Sequence, residues 1–188
     1  MAKKKVERKS KSFTEVFGLN KILSNETTDA LFGLFLIATA IMLIIAMGSF
    51  FATGAADQSI LENLRPGEWL NTGKQFTNYC GSIGALLSYY LMTVNFGIPA
   101  FLIPVFIIMV GLKLLHAYNV NLWKWFFGMM VVMVWTSVTL AKFLTPIMGS
   151  MTFNPGGNHG VFIVEQLENL VGPPGLTAIL LLTALTFL

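Results

Sequence analysis

Between Ala30 and Phe51 the chain reads ALFGLFLIATAIMLIIAMGSFF, 22 residues without a charge. About 20 apolar residues suffice for a helix to cross the hydrocarbon core of a bilayer. Lipid offers no partner for a free backbone amide, so such a run must satisfy its own hydrogen bonds as a helix. A cleavable signal peptide is the rival reading, but its apolar stretch is only about 7 to 15 residues long and is followed by an A-x-A-like cleavage site, whereas this run is longer and has no convincing site of that kind. Asn25, Glu26, Thr27, Thr28 and Asp29 precede the run, and their side-chain oxygens can accept the free amide hydrogens of a first helical turn. Only 11% of the chain is charged and 55% is hydrophobic, whereas soluble domains carry about 25% charged residues. The expected fold class is an all-α integral membrane bundle.

Three more runs fit that class. From Gly81 to Leu115 the only charge is Lys113; as one straight helix these residues would extend about 52 Å, far beyond a core about 30 Å thick. Phe96-Gly97-Ile98-Pro99 is the expected break, because proline lacks an amide donor and glycine weakens a helix. The span is therefore placed at residues 96–115, with Pro104 inside it, and residues 81–95 form a helical lead-in whose tyrosines suit the headgroup level. The third span, 122–144, opens on Trp123-Lys124-Trp125 and closes near Lys142, which can snorkel to the surface. The fourth, 176–188, is 13 residues long and reads as a crossing cut short, with more polypeptide expected after Leu188. Strands of a β-barrel alternate apolar and polar residues over about 10 positions, and these runs do not. The expected organisation is a basic tail over residues 1–29 and a four-helix membrane domain over residues 30–188, with outer loops at 52–80 and 145–175.

Seven of the 12 basic residues precede the first span, which puts the N-terminus in the cytoplasm by the positive-inside rule. The basic tail can also attract anionic lipid or DNA, although its role as a topology signal is enough to account for it. No Lys or Arg follows Lys142, so the 145–175 loop is expected outside and the fourth span returns inward. Within that loop NPGGNHG, Asn154 to Gly160, reads as a tight turn. Val161, Val164, Leu167 and Val171 then recur at helical spacing with Glu165 and Glu168 between them, which predicts an amphipathic helix ended by Gly172-Pro173-Pro174-Gly175. Two roles stay open for it: lying along the outer interface, or presenting Glu165 and Glu168 to a partner. Gly81 and Ala85, four apart, have the small-xxx-small spacing that lets helices approach closely.

Catalytic and ligand-binding signatures are absent from the sequence. It has no phosphate loop, no HExxH and no GxSxG, and no ionisable residue falls near the centre of a span, where a proton or ion path would place one. Cys80 is the single cysteine and is expected to be a small buried residue, with His159 a loop residue rather than a ligand. No catalytic, cofactor or metal site is expected. Asn95 and the paired prolines are the only features a substrate path could use.

In order, Asn78-Tyr79-Cys80-Gly81-Ser82-Ile83-Gly84-Ala85, then Phe96-Gly97-Ile98-Pro99-Ala100-Phe101-Leu102-Ile103-Pro104, then Gly156-Gly157 and Gly160 ahead of the amphipathic helix, resemble the N-terminal four-helix membrane domain of FtsK/SpoIIIE-type DNA translocases. The resemblance runs from the basic tail to the fourth span. It implies an anchor in the bacterial inner membrane at the division septum, in contact with the bilayer and with division proteins, both termini being cytoplasmic. In that family a hexameric ATPase follows on the cytoplasmic side and moves chromosomal DNA, so homo-oligomerisation, DNA, ATP and magnesium are expected only through that motor. Gly81, Gly84, Ala85, Phe96, Gly97, Pro99, Pro104, Gly156, Gly157, Gly160, Glu165 and Glu168 are the expected structural and interaction positions. A transporter or channel subunit, and a stand-alone membrane adaptor, are the alternative functions.

Overall fold

The computed structural model describes residues 26–63, 65, 68, 75–148 and 153–187. The basic tail up to residue 25, most of residues 64–74 and all of 149–152 in the two expected outer loops, and Leu188 lie outside the described residues. Helix α1 is Glu26–Glu62 and α2 is Gly81–Ser88; a π-helical segment, Tyr89–Asn95, continues α2. A 3-10 turn, Ile98–Phe101, leads into α3, Leu102–Leu114. Helix α4 is Leu122–Phe143 and α5 is Gly157–Phe187. No strand occurs among the described residues. The fold is an all-helical membrane bundle, in which α1, α4 and α5 are each long and apolar enough to cross a bilayer and Ile98–Leu114 is a shorter apolar helix.

Helix α1 runs for 37 residues, about 55 Å at 1.5 Å per residue, so the chain stays helical well past the expected boundary at Phe51. The segment ATGAADQSILE contains no proline and is rich in helix formers. Losing apolar character ends the stretch suited to lipid without ending the helix. At its other end Glu26 and Asp29 sit in the first turn, where negative charge opposes the positive pole of the helix dipole.

Gly97 breaks the long apolar run, with φ 69° and ψ −141°. Before it the helix widens: the amide of Phe96 donates to the carbonyl of Leu91 at 3.0 Å, and the Asn95 side-chain amide donates to the carbonyl of Tyr90 at 2.7 Å. Pro99 and Pro104 are buried in the first turns of the restarted helix, where a missing amide hydrogen costs little. Helix α5 also breaks at a glycine, Gly172, with φ 74° and ψ 162°. It has two arms, 157–171 and 173–187, and Pro173 and Pro174 open the second. The turn expected over Asn154 to Gly160 is shorter, since α5 already begins at Gly157.

Two apolar clusters hold the bundle. Leu43, Met47 and Phe50 of α1 bury Met92, Ala100 and Phe153, and Phe51 stacks on Phe101 with ring centroids 6.2 Å apart. The second cluster joins Val138 of α4 to Leu176 and Leu180 of the second arm, with Ile163, Val164 and Leu167 of the first arm packed on it. The amphipathic helix thus turns its apolar side onto protein. Of the expected stripe, Val164 and Leu167 join this cluster, whereas Val171 is exposed. In pairs, α1 packs chiefly on α3 and α2, and α4 chiefly on α5; α3 and α4, though consecutive, touch much less.

The α1–α3 crossing depends on two glycines that the sequence reading passed over. A Cβ added to Gly33 would lie 2.8 Å from the carbonyl oxygen of Gly111, and one on Gly111 would lie 2.7 Å from Ile37 Cγ1. Small residues at this spot let two backbones meet, the usual device where lipid supplies no hydrophobic drive between helices.

Candidate functional site: a glycine junction

At the end of the bundle where α1 and α4 finish, three chain segments meet by their backbones. The amide of Ile98 donates to the carbonyl of Pro155 at 2.8 Å, and the Ser137 hydroxyl donates to the carbonyl of Gly156 at 2.5 Å. Asn154 closes the turn beneath them: its Oδ1 accepts from the amide of Gly156 at 3.1 Å and from the Thr145 hydroxyl at 2.6 Å. Gly97 and Gly157 both have φ 69°, and a positive φ of this kind costs a residue with a side chain about 1–3 kcal/mol. Steric contact restricts them further, because a Cβ on Gly97 would collide with Pro155 and one on Gly157 would collide with Asn95. Gly156 and Gly160 lie against Ser137, and a Cβ on Gly160 would sit 2.7 Å from the serine Oγ. Phe153 anchors the approach, with its ring 5.9 Å from Phe50 and 5.4 Å from Phe51.

The junction brings together six of the expected positions, Phe96, Gly97, Pro99, Gly156, Gly157 and Gly160, and adds Ser137 and Ala141, which carried no sequence signal. Pro104 is buried one turn inside α3. Phe96 and His159 meet edge to face with centroids 5.1 Å apart, and His159 Nδ1 is buried without a hydrogen-bond partner. Asn95 spends its side chain on its own helix, so it does not offer itself to a substrate path.

Gly84 and Ala85 belong to a second contact, between α2 and α1. Asn78 Nδ2 donates to the carbonyl of Ala46 at 2.9 Å and its Oδ1 accepts from the amide of Cys80 at 3.0 Å. Gly84 leaves room for this side chain, since a Cβ there would be 2.6 Å from Asn78 Oδ1. Higher on α1, the fully buried Asp57 accepts from the amide and hydroxyl of Thr77 at 2.7 and 2.9 Å. The close approach is made at Gly84 and Ala85, whereas Gly81, with φ 65°, is exposed and has nothing within 4 Å of an added Cβ. Cys80 is half-buried rather than buried. Its thiol lies 3.4 Å from the carbonyl of Met42.

Glu168 forms an ion pair with Lys142, at side-chain exposures of 27% and 16%. Lys142 therefore ties α4 to the first arm of α5 as well as marking the end of a span. Glu165 is exposed, so the two acids that the sequence treated alike have different surroundings. Among the described residues no three His, Cys, Asp or Glu side chains converge as a metal site would require.

An all-helical bundle with helices of membrane-spanning length, closed by a backbone junction, defines an integral membrane domain. Residues 25–188 match the family described as the 4TM region of DNA translocase FtsK/SpoIIIE, and the chain belongs to that family. The match is to the family's membrane region and not to its ATPase motor. No curated protein and no solved structure matches the chain.

Proposed function

We propose that the chain is the membrane anchor and assembly domain of a septal DNA translocase, acting in bacterial cell division and chromosome segregation. The observation that carries this reading is the family match across residues 25–188, and the close backbone contacts at the glycine junction support it. An anchor must transmit position and load between a membrane and whatever is attached to it, and backbone-to-backbone closure resists shear better than side chains sliding in lipid. In this reading both termini of the chain face the cytoplasm from the inner membrane. The glycine junction faces outward, and the exposed Glu165 is offered to division proteins. Motor, nucleotide and DNA contacts belong in this reading to the family's ATPase motor and not to this membrane region.

A fluorescent fusion of this chain expressed in dividing bacteria tests the anchor role. It is expected to gather at the septum, and an even distribution around the cell would overturn the reading. Reporters fused at Val120 and near Asn154 test its orientation, with activity expected on the cytoplasmic and outer sides respectively.

A further inference from the structure

The seam between α3 and α4 carries two hollows that share a wall. A groove of about 150 Å³ has an entirely apolar lining that includes Phe106, Ile107, Phe126, Met129, Met130 and Met133. Toward the α3–α4 turn a wider recess of about 380 Å³ is bordered by the same Phe106 and Phe126 together with Leu122 and Trp123. From Trp123 to Met133 the two extend about 15 Å along α4 at 1.5 Å per residue. That is half of a hydrocarbon core about 30 Å thick, the depth of one leaflet. Positive charge gathers at the turn end. Lys113 Nζ donates to the carbonyl of Val120 at 3.0 Å, which holds the ammonium beside the chain that enters Leu122 and the recess, with donors to spare. His116 and Lys124 are exposed at the same turn, and no Asp or Glu lies between Glu68 and Glu165. Glu26 and Asp29 open α1, which packs on α2 and α3 and makes little contact with α4.

We propose that this seam is a binding site for one anionic phospholipid, with a tail lying in the groove and the phosphate headgroup at Lys113. Shape selects a lipid tail over a protein helix. The walls hold no Gly, Ala or Ser, so a helix about 10–12 Å across lacks the close backbone approach that small residues give. A thin, flexible hydrocarbon chain fits between the Phe and Met side chains instead, and methionine adapts to an irregular occupant. Charge complementarity then selects the headgroup, because basic groups between transmembrane helices attract anionic lipid. Trp123 is exposed at the mouth of the recess, where an indole suits the headgroup level. Tail contacts with the groove replace tail contacts with other lipids and discriminate little. Preference therefore comes from the lysine, and the groove fixes where the lipid sits. The site does not depend on the septal reading, because binding is read on the purified protein with no division protein present.

The test uses the whole chain carrying Trp69→Phe, Trp125→Phe and Trp135→Phe, so that Trp123 alone fluoresces, in nanodiscs of phosphatidylcholine. Phosphatidylglycerol with brominated tails is added in one series and phosphatidylcholine with the same tails in the other, since bromine quenches an indole that it touches. Half-maximal quenching by the anionic lipid is expected at a mole fraction lower by about fivefold, the preference that one nearby lysine supplies. Added salt should shrink the difference. Lys113→Gln keeps a donor for the Val120 carbonyl and removes the charge, so it should lower the preference about twofold or more. Combining it with Lys124→Gln should abolish the preference, and Lys113→Arg should retain it. Met129→Phe together with Met130→Phe fills the groove and should reduce the preference without touching either lysine. Equal quenching by the two headgroups, a preference that survives loss of both lysines, or one unchanged by filling the groove would overturn the proposal. So would a Trp123 that neither lipid quenches in a chain found to be dimeric by light scattering, which would assign the seam to a second copy.

Discussion

The glycine junction and the seam between α3 and α4 show two ways for helices to meet in a membrane. At the junction, segments as far apart in sequence as residues 98 and 155 come into backbone contact. Its hydrogen bonds cross between elements, and glycine is required at the meeting points. At the seam, consecutive helices diverge around an apolar groove of about 150 Å³ lined by residues such as Phe106, Ile107, Met129 and Met133. Lipid tails are as apolar as these side chains, so burying them against each other gains little. Structural specificity therefore resides where backbone is paired, and the seam can be exchanged with lipid at small cost.

This contrast fails if the junction tolerates side chains. Gly157→Ala and Gly97→Ala should each destabilise the bundle by about 3 kcal/mol or more, the sum of an unfavourable φ and overpacking. Thermal unfolding in detergent would read this as the largest drop in midpoint of any single change considered. An unchanged midpoint for both would mean that the junction opens without penalty. Ser137→Ala removes one buried hydrogen bond to Gly156 and should cost about 1–2 kcal/mol, measured in the same way. If the hydroxyl serves only to fill space, Ser137→Cys would match wild type.

The ion pair on the flank of the junction is expected to matter less. Glu168→Gln should cost about 1 kcal/mol, because both partners are partly solvated. A double-mutant cycle with Lys142→Met would isolate the coupling, and Glu165→Gln, at an exposed site, is the neutral reference. Equal effects at Glu165 and Glu168 would erase the distinction that the packing draws between them.

Helical class and the approximate spans were legible because freedom from charge over a bilayer's width is a local property that any window of sequence displays. The break at Gly97 was legible for the same reason, as Gly and Pro act on their own backbone. What Gly97 touches was not: its contact with Pro155 depends on a pairing across more than 50 positions, and no local pattern encodes it. Ser137 looked like any hydroxyl in an apolar helix, where such groups commonly bond to the preceding turn, as Thr136 and Thr139 do here. Gly33 and Gly111 were equally silent, isolated in long apolar runs that never suggested they face each other. The length of α1 was misjudged because hydropathy measures lipid exposure and says nothing about where a helix stops.

At the seam, the smallest effect is expected. Met130→Leu and Met133→Leu keep volume and apolarity in a groove whose walls already diverge, so each should shift stability by less than about 0.5 kcal/mol, within the range of volume-conserving swaps. Met133 is the sharper of the two because it is 9% exposed whereas Met130 is 40% exposed. If Met133→Leu proved as damaging as Ser137→Ala, α4 would be held against α3 by shape as tightly as it is held against α5 by hydrogen bonds. The seam would then have to be counted as a second fixed joint instead of a face that lipid can line.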